Sequence, residues 1–200
     1  MTRSISRGVF ARACTLSIGS DFATNYVIVR LISSVYRADH PAHTDLARTT
    51  VESREQPGRF NTSRLGAVYL SLEPETAIRE SQQAGKSGQC ALFVVNASLA
   101  RVLDLTDPEV LKQWSLTLDD LQGDDASRCQ EVAESAAAAG EEAIIWPSAV
   151  GEGRSLAVFA GRLGQESRLE IVHAFELSQA AVHSVIAGVP VSSLLPSLSR

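Results

Sequence analysis

Apolar positions in this chain come in short runs separated by polar, proline- and glycine-containing stretches. Residues 26–36 are rich in Val, Ile and Leu and predict a strand that enters the domain. From 38 to 58 the composition turns polar, with Pro41, Pro57 and many Thr, Arg and Glu, which predicts a long loop of the kind that is usually functional or disordered. Residues 67–71 predict a short buried strand. Ser71 is placed to cap the following helix, Glu73 and Glu75 load its first turn with negative charge, and Pro74 suits its start. Gly85 and Gly88 are expected to end it. Residues 91–95 predict a strand, and 102–105 another, short one. A helix is expected over 108–114 behind Asp107, and a second over 129–139, stopped by Gly140. A strand over 143–146 runs into Pro147-Ser148, and 156–160 is apolar. Residues 169–177 alternate: Leu169, Ile171, His173, Phe175 and Leu177 on one side, Glu170, Val172, Ala174 and Glu176 on the other. That pattern predicts a half-buried strand. Strands and helices interleave without a regular βαβ rhythm, and no GxGxxG follows a strand. This argues against a doubly wound dinucleotide fold and predicts a mixed α+β domain.

Composition narrows the function classes only a little. Two hundred residues fit one domain, and 44% hydrophobic with 20% charged residues is ordinary for a globular chain. A net charge of −5 argues against general nucleic-acid affinity. One local basic cluster stands against that background: Arg48, Arg54, Arg59 and Arg64. Four arginines near a groove can bind phosphates, and a solvated loop explains them equally. Cys14, Cys90 and Cys129 are widely spaced and form neither a disulfide framework nor a zinc signature. His40-x-x-His43 lies in a proline-containing stretch without a partner at ligand spacing, so no metal is assigned. No run is long enough to span a membrane, and a cytoplasmic protein is expected. The first twenty residues carry Arg3, Arg7 and Arg12 and no acid before Asp21, which suits a transit peptide or an extension outside the main fold.

Glu80 is the residue with the clearest chemical potential. Thr76, Ala77, Glu80, Ser81 and Ala84 share neighbouring rows of the predicted helix, and the small residues mark its buried face. Glu80 is thereby drawn toward the interior or a cleft, where a partly desolvated carboxylate needs a partner. Arg37 and Arg59 are available, and a structural ion pair with Arg79 or a loop arginine is the plainer alternative.

A set of motifs then stands in one order: Val35-Tyr36-Arg37-Ala38, Gly58-Arg59-Phe60-Asn61, Val68-Tyr69-Leu70-Ser71, Thr76-Ala77 leading to Glu80, and Trp146-Pro147-Ser148-Ala149. This order resembles the RES domain, the toxin half of bacterial RES–Xre toxin–antitoxin pairs. The resemblance covers roughly 33–177, leaving an N-terminal extension, 1–32, and a C-terminal tail, 178–200. One departure is visible: the family often carries an asparagine shortly after the serine motif, where this chain reads Gly151-Glu152-Gly153-Arg154-Ser155-Leu156. The resemblance implies a single, compact ADP-ribosyltransferase-like domain with a central split β-sheet flanked by helices. It implies NAD⁺ as substrate, with no prosthetic group, and cleavage of the nicotinamide–ribose bond by hydrolysis or phosphorolysis.

The candidate residues suit that task. The ribose acquires oxocarbenium character as nicotinamide leaves, and Glu80 can stabilise the charge. Arg37 and Arg59 offer planar, multidentate donors to the pyrophosphate. Tyr69 can stack on the nicotinamide or ribose, or simply pack in the core. The Ser148 hydroxyl can bond a phosphate or the amide, with no His–acid pair placed to make it a nucleophile. Asn61 and Ser71 can shape the pocket. Two alternatives stand beside the NAD⁺-degrading toxin: a mono-ADP-ribosyltransferase with a specific protein target, and a non-catalytic nucleotide-binding module. The expected partners are NAD⁺ and a cognate Xre-type antitoxin, without nucleic acid or membrane. The apolar tail over 180–198 can serve that interface or self-association, a packed helix or a floppy terminus being the plainer readings.

Overall fold

The computed structural model describes residues 28–85, 89–195 and 198. Six strands pair in one mixed sheet: β1 (Ile28–Asp39), β2 (Val68–Ser71), β3 (Cys90–Asp104), β4 (Ala143–Pro147), β5 (Arg154–Val158) and β6 (Arg168–Leu177). Their order is β1-β2-β5-β4-β3-β6, and β1 also pairs with β3. That extra pairing closes β1, β2, β5, β4 and β3 into a ring of hydrogen-bonded neighbours, with β6 added outside it. β3 makes this possible through its length. It pairs with β1 from Ala91 to Leu103, while its other edge serves β6 over Cys90–Ser98 and β4 over Val102–Asp104. The two strands expected at 91–95 and 102–105 are therefore one. The expected α+β class holds.

Strand periodicity sorts the apolar residues onto two faces. One parity contributes Val35, Val68, Leu70, Phe93, Val95, Ala143, Ile145, Leu156 and Val158 to a single buried cluster inside the ring. The other parity of β2, β4 and β5 carries Ala67, Ile144, Trp146, Ala157 and Phe159. These are covered by α3 (Pro108–Gln113), α4 (Leu118–Gln122) and α5 (Ser127–Ala138) through Val110, Leu111, Leu121, Val132 and Ala133. A third cluster joins Ala38 and Leu92 to α2 (Pro74–Gln83) and to α6 (Gln179–Ile186), through Ala77, Ile78, Val182 and Val185.

Three further expectations need correction. The stretch 38–58 contains a helix, α1 (Leu46–Glu52), started by the Asp45 carboxylate, which accepts from the Ala47 and Arg48 N–H groups. Leu46 packs against the inner cluster, and this anchor outweighs the polar surroundings. Ser71 does not cap α2. The helix starts at Pro74 behind Glu73, and Ser71 is buried at the end of β2, paired with Tyr36 and Ser155. The expected single face of β6 is broken by a bulge: Val95 pairs with Ile171 and Val94 with His173, so Val172 is skipped. Leu169 and Ile171 pack on the inner cluster while Leu177, of the other face, joins the third. Of the plainer readings of the tail, the packed helix fits its described part: α6 and α7 (Val191–Leu194) bury Val182, Val185 and Val191. Gly88 and residues 1–27, which include Cys14, lie outside the described residues.

Candidate active site

β2, β5 and β4 bring Ser71, Ser155 and Trp146 into one cross-strand row, since Ser71 pairs with Ser155 and Ser155 with Trp146. Paired residues project to the same face, so this row lies on the side opposite the inner cluster. α2 brings Glu80 to it. The Glu80 carboxylate accepts two hydroxyl hydrogen bonds on one oxygen: Ser148 Oγ donates to Oε1 at 2.6 Å and Ser155 Oγ at 2.8 Å. Among the described residues Glu80 makes no ion pair, so the structural-pair alternative does not describe the contacts seen here. Among the described residues nothing hydrogen-bonds its Oε2. Ser148 and Ser155 are buried, at 2% and 3% exposure, while Glu80 is half-buried, so its carboxylate is held from beneath.

The turn between β4 and β5 is folded to deliver the two serines. Ser148 N–H donates to the Gly153 carbonyl at 2.8 Å, and Val150 N–H donates to Ser148 Oγ at 3.1 Å. Gly153 is pressed onto the start of α2, where a Cβ would sit 1.8 Å from Thr76 Oγ1. Arg154 adds its backbone N–H and its guanidinium to Glu73. The turn and the helix therefore form one unit.

Tyr69, Asn61 and Arg59 belong to a second network. Tyr69 Oη accepts from Phe60 N–H and donates to Asn61 Oδ1, both at 2.9 Å. Asn61 Oδ1 also accepts from Gly58 N–H at 2.7 Å, and its Nδ2 donates to the Ser53 carbonyl. Gly58 leaves room for this: a Cβ there would fall 2.7 Å from Tyr69 Oη. Burial pushes the Tyr69 phenol well above the usual tyrosine range, only partly offset by the Phe60 N–H and the charge of Arg59. Tyr69 also meets the Trp146 ring edge-on, with centroids 6.1 Å apart. Arg59 braces the loop to α4, donating to the Asp120 and Gly123 carbonyls at 3.2 and 2.6 Å.

Arg37 forms a third group. It is buried near the end of β1, donates to Thr49 Oγ1 on α1 at 2.8 Å, and pairs with Asp39. The other Asp39 oxygen meets His43 Nδ1 at 3.1 Å. α1 thus ties the groups together, with Thr49 on Arg37 and Ser53, at its C-terminal cap, on Asn61. The structure brings Glu80 and Ser148 into direct contact and lays Ser71 beside them. It joins Arg59, Asn61 and Tyr69 through their shared loop, and keeps Arg37 on its own carboxylate. Ser155 was not singled out by sequence. Its signal was a serine opening an otherwise apolar strand.

Among the described residues no group of three or more His, Cys, Asp or Glu side chains is arranged to hold a metal ion. Among those residues no helix is long and apolar enough to cross a membrane.

Comparison with known proteins gives the family of the chain. The NAD(+) phosphorylase MbcT of Mycobacterium tuberculosis, and that of Mycobacterium bovis, are each 27% identical to this chain over 150 residues, spanning 70% of it and 80% of the relative. The crystal structure of the M. tuberculosis MbcT–MbcA toxin–antitoxin complex contains a chain that superposes with a TM-score of 0.69 at 25% identity. That match covers 80% of this chain and 92% of the other. The profile of the RES domain matches residues 34–178, a span that holds the Glu80–Ser148–Ser155 contact and both neighbouring networks; the chain belongs to the RES domain family.

Proposed function

We propose that this protein is the toxin of a toxin–antitoxin pair and cleaves NAD⁺ by phosphorolysis. The observation that carries the chemistry is the half-buried Glu80 carboxylate, fixed through Oε1 by two buried hydroxyls with Oε2 left for substrate. The likeness to the NAD(+) phosphorylase MbcT supports phosphate as acceptor.

In this reading the bond between nicotinamide N1 and ribose C1′ breaks. Its electron pair leaves with the ring, which becomes neutral. A phosphate oxygen forms the new bond to C1′, giving nicotinamide and ADP-ribose phosphorylated at the anomeric carbon. Positive charge builds on the ribose ring as the bond lengthens, and Glu80 sits where a fixed carboxylate stabilises it and accepts from a ribose hydroxyl. Ser148 commits its hydroxyl hydrogen to a hydrogen bond with Glu80 and serves as an acceptor and positioning group rather than a nucleophile. Arg37 and Arg59 hold the pyrophosphate. Each guanidinium has five N–H donors, and the contacts to Asp39, Thr49, Asp120 and Gly123 leave others for an anion. Tyr69 lends its ring face to the nicotinamide or ribose, Asn61 fixes the height of that ring, and Ser71 lines the floor next to Ser155. An antitoxin partner is supported by the likeness to the toxin of the solved MbcT–MbcA toxin–antitoxin complex; in this reading it is of the Xre type and restrains the enzyme by covering the Glu80 site.

The test is purified protein with NAD⁺, with and without inorganic phosphate, and with Glu80→Gln as control. Phosphate-dependent loss of NAD⁺ by the wild type, a product heavier than ADP-ribose by one phosphate, and at least a hundredfold loss in Glu80→Gln are expected. Phosphate-independent release of ADP-ribose would make it a hydrolase. Label transferred from NAD⁺ to a protein would make it a mono-ADP-ribosyltransferase. Unchanged NAD⁺ would leave a binding module.

A further inference from the structure

We infer that Ser155 is a positioning residue for Glu80, and that the catalytic carboxylate depends on two hydroxyls from the two ends of one turn. This rests on the NAD⁺-cleaving reading above. Ser148 and Ser155 bracket the β4–β5 turn, and both donate to the same oxygen, Glu80 Oε1. They are held by different means. Ser148 lies in the turn itself, fixed by its N–H on the Gly153 carbonyl and by Val150 N–H on its hydroxyl. Ser155 lies in the sheet, paired with Ser71 on one side and Trp146 on the other, and is 3% exposed.

One donor would leave the carboxylate free to swing about a single contact. Two donors converging on one oxygen from different elements fix the position of Oε1 and the plane of the group, and so the direction in which Oε2 points. Side chains that must meet a developing charge act well only when prepaid in orientation. An apolar residue would suit an outer-face position beside Ala157 and Trp146, and among the described residues the side-chain partner of Ser155 Oγ is Glu80. The Glu73–Arg154 contacts, one residue away, keep the strand end in register with α2 so that the 2.8 Å contact is held.

The experiment is steady-state kinetics of Ser155→Ala and Ser155→Thr with NAD⁺ and phosphate, each melt-checked against wild type. Ser155→Ala is expected to lower kcat about tenfold or more, in line with the loss of a hydrogen bond to a charged group, with KM for NAD⁺ within about twofold. Ser155→Thr, which keeps the hydroxyl, should recover most of that loss. If Ser155→Ala does not fold, Ser155→Cys, close in volume and a weak donor, is expected to show the same kcat loss. A folded Ser155→Ala or Ser155→Cys enzyme with kcat within twofold of wild type, or a loss confined to KM, overturns the inference while leaving the NAD⁺ reading intact. A wild type that does not consume NAD⁺ overturns both.

Discussion

Tyr69 Oη satisfies one backbone N–H and one amide oxygen at once, and those two contacts hold Gly58-Arg59-Phe60-Asn61 against β2. Tyr69→Phe keeps the ring but strands the Phe60 N–H, so a loss of about 1–3 kcal/mol in urea unfolding is expected. Because the same loop carries Arg59, KM for NAD⁺ should rise in that variant. Gly153 is the second sensitive position. The 1.8 Å approach of a Cβ to Thr76 Oγ1 means that Gly153→Ala must push the turn off α2. A stability loss of about 1–3 kcal/mol is expected, together with a fall in kcat as Ser148 shifts from Glu80. Thr76→Ala in the same chain should restore part of both, and a double-mutant cycle reads that coupling.

Elements are joined by buried polar groups as much as by apolar ones. Glu142 stands at the junction of α5 and β4, buried, and accepts from the Ala100 and Arg101 N–H groups of β3, the Gly164 N–H and the Ser167 hydroxyl. Burial alone would push its carboxyl up, but the bonds from Ser167, Gly164, Ala100 and Arg101 outweigh it and hold it below the usual range. A carboxyl depressed in the folded state contributes stability that is fully present above the ordinary glutamate pKa of about 4.3 and is lost as pH falls through the depressed value. Urea midpoints measured against pH should therefore drop on the acid side in the wild type. In Glu142→Gln that leg should flatten, with lower stability at neutral pH. The bulge at Val172 works at the same scale, turning Leu169 and Leu177 to different cores by skipping one residue of the ladder.

For the whole molecule, the tail beyond the matched family span supports the helix that carries Glu80. Arg79 Nη2 donates to the Val185 carbonyl at 3.4 Å, and Val191 N–H donates to Glu75 Oε1 at 2.8 Å. Val182, Val185 and Val191 pack with Ala77 and Ile78. A chain ending after Ser178 loses these three buried valines, on the order of 5 kcal/mol of apolar burial. It should melt markedly lower and lose NAD⁺ cleavage even where it folds, which calorimetry and the phosphate-dependent assay can check.

The order of short apolar runs and polar breaks was enough to name the α+β class and to place four of the six strands within a few residues, while Arg37, Arg59, Tyr69, Glu80 and Ser148 stood together only through the order of motifs that resembles the RES domain. The class and the strands are local features that follow from periodicity and turn residues; the site residues followed from the resemblance. The ring of strands was not legible, because closure depends on β3 being one long strand that serves three neighbours, and pairing partners leave no mark in a strand's own pattern. α1 was hidden because a single leucine anchors it to a core assembled from distant segments. Ser155 was passed over, since a serine acquires its meaning only from what faces it: two strands and a helix far apart in sequence had to converge before its hydroxyl met Glu80. What the sequence determined by itself was the identity and order of the chemical groups. Which of them share one carboxylate oxygen, and which are held on a neighbouring backbone carbonyl or acid, was decided by long-range packing, where contact depends on geometry and not on spacing along the chain.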